Sequence, residues 1–191
     1  MTRELQKLGV ADDPRVKFFS AIRPDEKGDF TSVGARGVYE SQLALLKQAA
    51  NAGDSILILE DDCTFRQDAA AYCSKLSWHL FYGGYYASDP SDLHSSDIIG
   101  AHMMGFSATG ARMVVQYLEK LEYQGIHPPI DAAYVWFRRA RPEIETEFAT
   151  PPLAYQRRSR SDIADLALYD RIPLVKSLIN TLRAWQPRNP F

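Results

Sequence analysis

Ile56-Leu57-Ile58-Leu59-Glu60-Asp61-Asp62 is the stretch that decides the fold class, because four apolar residues are followed directly by three acids. The continuous β-branched and leucine run over 55–59 is typical of a strand buried on both faces, as in a parallel sheet covered by helices. Ligands bind at the carboxyl ends of the strands in such sheets. The sequence therefore predicts a ligand site at Glu60, Asp61 and Asp62.

Helix-like and strand-like segments alternate on both sides of this stretch. The helical spacing over 33–52 ends at Gly53, which is typical of a helix C-cap. Further helices are predicted over 2–8, 67–76, 109–123 and 129–139, strands over 16–22, 78–82 and 98–107, and an extended segment over 144–155. The alternation predicts an α/β fold with a mostly parallel sheet flanked by helices. We expect one domain over 1–191, in which 164–191 form a helical, proline-rich tail.

Composition limits the classes of function. The formal net charge of -2 provides no general attraction to nucleic acid, and no aromatic residues alternate with the arginines as a stacking surface would require. The two cysteines, Cys63 and Cys73, are expected to be reduced thiols in a cytoplasmic protein. The start of the chain has no apolar signal region, and no run approaches the length of a membrane span. We expect a cytoplasmic protein, in contact with a membrane at most peripherally.

The acidic residues after Leu59 indicate a metal site. Three adjacent carboxylates repel one another, and a bound cation or good solvation relieves this repulsion. Mn²⁺ or Mg²⁺ takes carboxylate oxygens and keeps water or substrate phosphate as its other ligands. An ion that bridges Glu60-Asp61-Asp62 and a nucleotide diphosphate would fit this pattern. The alternative is a polar turn that merely ends the strand, and the residues alone leave both interpretations open.

Several segments together resemble glycosyltransferase family 25, which includes bacterial lipopolysaccharide and lipooligosaccharide sugar transferases. Gly34, Gly37 and Ser41 match the family's Gly-x-x-Gly-Cys-x-x-Ser-His helix start, whereas Val38 and Gln42 replace its Cys and His. The family's Leu-Glu-Asp-Asp element matches 59–62, and weaker matches follow in order at 81–84, 101–111, 129–131, 151–156 and 161–163. The resemblance covers about 5–163. The chain begins at what resembles the helix after the family's first strand, so we expect that strand to be missing.

The resemblance implies a GT-A-like nucleotide-sugar-binding domain. It implies metal-dependent transfer of a sugar from a nucleoside diphosphate sugar to a hydroxyl of a lipopolysaccharide-type or other cell-surface glycan acceptor, either free or lipid-linked. A lipid-linked acceptor would place the protein peripherally at the inner face of the membrane. The implied roles are Asp62 and Asp61 as ligands of Mn²⁺ or Mg²⁺, Asp131 as general base, and Glu60, Asp61, Gly83, Gly84, His102, Arg157 and Arg158 as contacts to the donor.

Each of these residues also has a structural interpretation. Asp131 is alternatively an acid favoured at a helix N-terminus, His102 a satisfied core histidine, and Gly83-Gly84 a plain turn. The cluster Arg138, Arg139 and Arg141 is expected to form a solvated face, as is the cluster of Arg157, Arg158 and Arg160 if it does not face phosphates.

Two other functions compete with glycosyl transfer. A catalytically silent homologue would serve as a binding or scaffold module. A metal-dependent phosphatase or nuclease would need a second acidic or histidine cluster for a second metal, and the sequence offers no obvious one.

Overall fold

A computed structural model describes residues 1–74 and 77–157, which belong to one compact unit. Its helices are α1 (Thr2–Lys7), α2 (Val33–Ala52), α3 (Ala108–Leu118) and α4 (Ile130–Ala140), and a 3-10 turn covers Ala69–Ala71. Its strands are β1 (Ile56–Leu59), β2 (Cys63–Phe65), β3 (Leu80–Ala87), β4 (Ile98–Phe106), β5 (Thr146–Phe148) and β6 (Ala154–Gln156). The predicted tail over 164–191 lies outside the described residues.

The α/β class is confirmed, but the prediction of a mostly parallel sheet is wrong. The main sheet has the order β1-β4-β3-β5, and only the β3–β5 pair is parallel. β4 is antiparallel to both of its neighbours, with Leu59 opposite Met103 and Phe81 opposite Gly105. β2 and β6 form a separate antiparallel pair. The described part of the chain is therefore a mixed sheet with a two-stranded ribbon.

β1 is an edge strand rather than the doubly buried strand that the sequence predicts. It pairs with β4 alone among the described residues, and Leu57 is 50% exposed. Of its four residues only Ile58 is buried. An unbroken apolar run indicates that a strand packs on a core. It does not indicate whether a second strand pairs with the other edge of that strand.

The loop that joins β3 to β4 explains why these strands are antiparallel. Residues 88–97 reverse the chain directly, without a crossover helix. Ser96 fastens this loop, since its Oγ accepts a hydrogen bond from the Asp89 amide at 2.9 Å and donates one to the Asp89 carbonyl at 2.6 Å. The Ser88 amide donates to the Asp97 carbonyl at 3.0 Å and closes the reversal. A direct reversal of this kind produces antiparallel neighbours.

Alternating side chains of the sheet supply two apolar clusters. Tyr82 and Met104 enter the larger cluster, which packs against α2, α3 and α4. Phe81 and Met103 enter the second cluster, together with Leu5 of α1 and residues of the β2–β6 ribbon. This period of two follows from the pleat of a strand. Both faces of the central strands are therefore covered, by helices on one side and by α1 and the ribbon on the other.

The predicted helix over 33–52 is confirmed at both ends. Ser32 caps α2 by accepting a hydrogen bond from the Ala35 amide at 3.0 Å, and Gly53 ends the helix with a left-handed φ of 74°. The helices predicted over 2–8, 109–123 and 129–139 are also present, although α3 ends at Leu118. No helix in 1–74 or 77–157 is long and apolar enough to cross a membrane.

Two local predictions are wrong. The segment 16–22 does not pair as a strand, and instead it is fixed to α2, where the Ile22 amide donates to Ser41 Oγ at 2.9 Å. The Ile22 carbonyl reaches α2 at Gly37, where any Cβ would lie 2.7 Å from that oxygen. The helix predicted over 67–76 shrinks, in its described part, to the 3-10 turn. Gly37 and Ser41, one helical turn apart, thus both hold the segment before α2 against that helix.

Gly110 provides a test of this packing. It lies in the first turn of α3, and a Cβ at this position would clash with the backbone carbonyl of His79. Glycine to alanine normally stabilises a helix by up to about 1 kcal/mol. We expect Gly110→Ala to lower the free energy of unfolding instead, by about 1–3 kcal/mol, as overpacking does. Urea denaturation measures the change.

Gly34→Ala is the matched control, because Gly34 lies in the first turn of α2 and its nearest neighbour would be Ser32 Oγ at 3.7 Å. Its free energy of unfolding should be unchanged or higher. Equal effects of the two substitutions would contradict the close packing of α3 on the start of β3.

Candidate functional site

The three acids form a turn, here called the acidic turn (Glu60, Asp61 and Asp62), which connects β1 to β2. The Glu60 amide continues the β1–β4 pairing by donating to the His102 carbonyl at 3.1 Å, and the Glu60 carbonyl accepts from the Cys63 amide at 3.1 Å. Asp61 is exposed, whereas Glu60 and Asp62 are half-buried. The turn therefore lies at the carboxyl end of β1, as the sequence predicts.

The residues that follow β6 complete one side of this turn. The Arg157 amide donates to the Asp62 carbonyl at 2.8 Å, and its Nη2 donates to the Asp61 carbonyl at 2.6 Å. Gln156 Nε2 donates to Asp62 Oδ2 at 2.9 Å. The pairing of β2 with β6 thus brings an exposed guanidinium beside the carboxylates, although 94 residues separate Gln156 from Asp62 along the chain. Arg158 lies outside the described residues.

A hydrogen-bond chain from the buried residues Tyr134 and Gln42 holds the half-buried Glu60 from the helix side, and the sequence does not indicate this chain. Tyr134 of α4 donates through its Oη to Gln42 Oε1 at 2.8 Å, and Gln42 of α2 donates through Nε2 to Glu60 Oε1 at 3.3 Å. Burial is the main cause that raises the pKa of Tyr134 well above its usual range. Gln42, the middle residue of this chain, stands where the resembled family has His, and this difference could have drawn attention to it. Nothing in the sequence singles out Tyr134.

His102 lies beneath the acidic turn, in the centre of β4. Its ring is fully buried, and its Nε2 is 3.1 Å from the Ala154 carbonyl. Because a carbonyl only accepts hydrogen bonds, Nε2 carries the proton and Nδ1 is the bare acceptor. Nδ1 has no hydrogen-bond partner within 1–74 and 77–157, and burial lowers the pKa of the imidazole to about 4. His102 is thus a neutral core residue that joins β4 to β6, and its contact with a donor stays a prediction.

Gly83 and Gly84 lie within β3, where the register against β4 shifts. The sequence predicts a strand that ends before these glycines, and this prediction is wrong, because β3 continues to Ala87. A Cβ at Gly84 would lie 2.5 Å from the His102 ring, and one at Gly83 would lie 2.7 Å from Met103 Sδ. The two glycines therefore make room for side chains of the neighbouring strand, and close approach of a ligand to their backbone stays a prediction.

Asp131 lies in the first turn of α4 and bonds to β4 two residues before His102. Its Oδ2 accepts from the Gly100 amide at 2.9 Å and its Oδ1 from the Ala132 amide at 2.9 Å. Burial raises the pKa of this carboxyl, against the opposing effect of those hydrogen bonds. Gly100 has a φ of 81°, and its Cβ position would lie 2.8 Å from His102 Nδ1. Asp131 thus fastens α4 to β4 next to the buried imidazole.

A divalent ion at the acidic turn stays a prediction. Among residues 1–74 and 77–157, no three His, Cys, Asp or Glu side chains are grouped to hold a metal. Mg²⁺ and Mn²⁺ commonly bind one or two carboxylates and fill their other positions with waters and substrate phosphates. Asp61 and Asp62 would hold such an ion, and it would supply positive charge next to a diphosphate.

The chain from Tyr134 to Glu60 can be tested by a double-mutant cycle with Gln42→Met and Tyr134→Phe. Gln42→Met should lower the free energy of unfolding by about 1–3 kcal/mol, because it leaves the buried Tyr134 hydroxyl without its acceptor. Tyr134→Phe in that background should cost less than it does alone. Chemical denaturation of the unaltered chain, the two single variants and the double variant gives the coupling free energy. Additive losses of unfolding free energy would contradict the hydrogen bond between Tyr134 and Gln42.

The neutral state of His102 predicts a pH dependence of stability. The unfolded chain keeps the ordinary pKa of 6.5, whereas the folded value is about 4. Between these values the unfolded state binds more protons, so the free energy of unfolding falls as the pH falls from about 6.5 towards 4, by at most about 1.4 kcal/mol per pH unit.

The imidazole nitrogen shifts of His102 should report a neutral ring at pH 5.5, and nitrogen-detected NMR measures them. His79→Gln, which removes a half-buried ring elsewhere, should leave the fall in stability unchanged. A His102 signal that titrates near pH 6.5 would contradict its burial.

No family model matches the chain, and no curated protein matches it either. The likeness to glycosyltransferase family 25 therefore rests on the sequence segments quoted above.

Proposed function

We propose that the protein is a metal-dependent glycosyltransferase, which moves a sugar from a nucleoside diphosphate sugar to a hydroxyl of a lipopolysaccharide-type or other cell-surface glycan. The observation that carries this proposal is the meeting of the acidic turn with Arg157 at the end of β1. Carboxylates that attract a cation stand beside a guanidinium that attracts phosphate. A nucleotide diphosphate bound with its metal ion needs both.

The residues around the turn would share the task of binding the donor. Asp61 is exposed and faces solvent, while Asp62 is oriented by its bond to Gln156. Glu60 is oriented by its bond to Gln42, and we assign it a contact with a hydroxyl of the ribose or sugar. Arg157 donates from Nη2 to the Asp61 carbonyl, and its side chain is exposed, so its guanidinium suits contact with a phosphate oxygen.

Asp131 would act as the general base on the acceptor hydroxyl. A carboxylate whose pKa is raised binds a proton more readily near neutral pH, which favours this role. Its bonds to the Gly100 and Ala132 amides leave a further lone pair on each oxygen and fix the carboxylate plane.

The proposal includes a GT-A-like nucleotide-sugar fold and a place at the inner face of a membrane when the acceptor is lipid-linked. The support for the fold is the acidic turn at a strand end, with helices on one face of the sheet and the β2–β6 ribbon on the other. The support for the location is the acceptor chemistry of the family that the sequence resembles.

Substitutions in the acidic turn test the proposal. Asp61→Asn and Asp62→Asn keep the shape of the side chains, and the amide oxygen at 62 still accepts from Gln156. Each should weaken Mn²⁺-dependent binding of UDP-sugars at least about tenfold, since even the loss of an outer-shell partner costs this much. Isothermal titration of the full chain with UDP-glucose and UDP-galactose, with and without Mn²⁺, measures the effect.

Asp54→Asn is the matched control, because Asp54 is an exposed acid just before β1, at the opposite end of that strand. It should bind like the unaltered chain. Failure of the folded, unaltered chain to bind either donor would refute the donor-binding proposal, and equal binding by all three variants would refute the metal assignment.

A second candidate, a non-catalytic binding module for nucleotide sugars or glycans, is favoured by one observation. Both oxygens of Asp131 already accept backbone hydrogen bonds, as expected of an acid that only stabilises the start of a helix. Release of UDP from the same donors in the presence of Mn²⁺ separates the two candidates. Binding without UDP release, with water and simple sugars as acceptors, would favour the binding module.

A further inference from the structure

A second polar site lies away from the acidic turn, in a cleft of about 210 Å³ at the C-terminal end of α4. Its lining consists of His94, Arg138, Arg139, Pro142, Ile144 and Thr146. Two of these residues are arginines, one is a histidine and none is acidic. The sequence predicts a solvated face for the arginines of this cluster, and for Arg138 this prediction is wrong, because Arg138 is only 7% exposed.

Arg138 is a buried cation without a partner of opposite charge among the described residues. Its Nη1 donates to the His94 carbonyl at 3.2 Å and its Nη2 to the Ser96 carbonyl at 3.4 Å, both in the loop after β3. Among the described residues its Nε makes no hydrogen bond of good geometry, and the Tyr82 hydroxyl lies near the guanidinium. The guanidinium carbon lies 5.3 Å from the centre of the Tyr82 ring and 5.1 Å from that of Phe148, which compensates its burial only in part.

The neighbouring charges leave the cleft positive. Arg139 Nη2 pairs with Asp97 Oδ1 at 2.9 Å and donates to the Ser95 carbonyl at 2.9 Å. Asp97 thus balances one of the two arginines, and the charge of Arg138 remains. A buried charge is costly unless it is paired and fully hydrogen-bonded. Arg141, outside the cleft, is by contrast exposed and paired with Glu143 at 3.4 Å.

A purely structural role of Arg138 explains its surroundings less fully than a role in anion binding does. The two carbonyl contacts of Arg138 do hold the loop after β3 against α4. A neutral donor would do the same without the cost of burying a charge. Charge, burial and an open cleft together are what an anion site requires, since Arg binds oxyanions with several N–H groups at once.

We propose that this cleft binds a phosphate group, with Arg138 and Arg139 as its main contacts and His94 at its rim. The cleft has room for the phosphate and for part of the molecule that carries it. The proposal does not depend on the function assigned to the acidic turn, because it shares no residue with that turn.

Titration of the full chain with inorganic phosphate, in the absence of divalent ions, tests the proposal. The Nε–Hε signal of Arg138 should shift in ¹H–¹⁵N spectra, because phosphate approaches the guanidinium. Arg139→Gln should weaken phosphate binding about tenfold, as expected for the loss of a hydrogen bond to a charged group. Arg139 is exposed, so this variant should fold.

Arg141→Gln is the matched control, since it removes the same charge from the same end of α4 but from outside the cleft. It should leave the affinity for phosphate within twofold, as about 0.4 kcal/mol of general attraction allows. Equal weakening by both variants, or a phosphate titration that leaves the Arg138 signal in place, would overturn the proposal. Acetate that binds as tightly as phosphate would overturn the assignment to phosphate.

Discussion

β4 is hydrogen-bonded on both sides, to β1 and to β3, and this central position determines where the candidate site residues lie. The pairing with β1 ends at the bond between the Glu60 amide and the His102 carbonyl, and the acidic turn begins there. The pairing with β3 places Gly83 and Gly84 beside Met103 and His102. If β4 were displaced by one residue, every side chain would change faces, and the histidine would leave the core.

Glycines allow this close packing in several places. The group that approaches the glycine is different in each place. Gly84 accommodates the imidazole of the neighbouring strand, while Gly110 lets α3 approach the backbone of His79. Gly37 allows the segment before α2 to contact that helix. Contacts within the protein thus explain glycines that also match the motifs of the resembled family. A role of these glycines in ligand binding needs separate evidence.

The two polar sites differ in the sign of their charge and in how the protein compensates it. At the acidic turn, amide groups of Gln42 and Gln156 orient the carboxylates, and the Arg157 guanidinium bonds to a main-chain oxygen. At the α4 cleft, main-chain carbonyls and aromatic rings hold a guanidinium that has no carboxylate partner in the described part of the chain. The first arrangement carries the proposed cation site and the second the proposed anion site, since each presents the opposite charge.

The sequence by itself determined most of the local elements of this protein, with the segments 16–22 and 67–76 as exceptions. Serine before α2 and glycine after it fix that helix, and the apolar run 56–59 fixes a strand with acids at its carboxyl end, because caps and strand propensity depend on near neighbours. Only the tertiary structure decided that β1 is an edge strand, that the sheet is mixed, and that His102 and Arg138 are buried. It also decided that Tyr134, Gln42 and Glu60 form one chain. These features depend on contacts between residues far apart in sequence, and neither the period of a helix nor that of a strand carries information about such contacts.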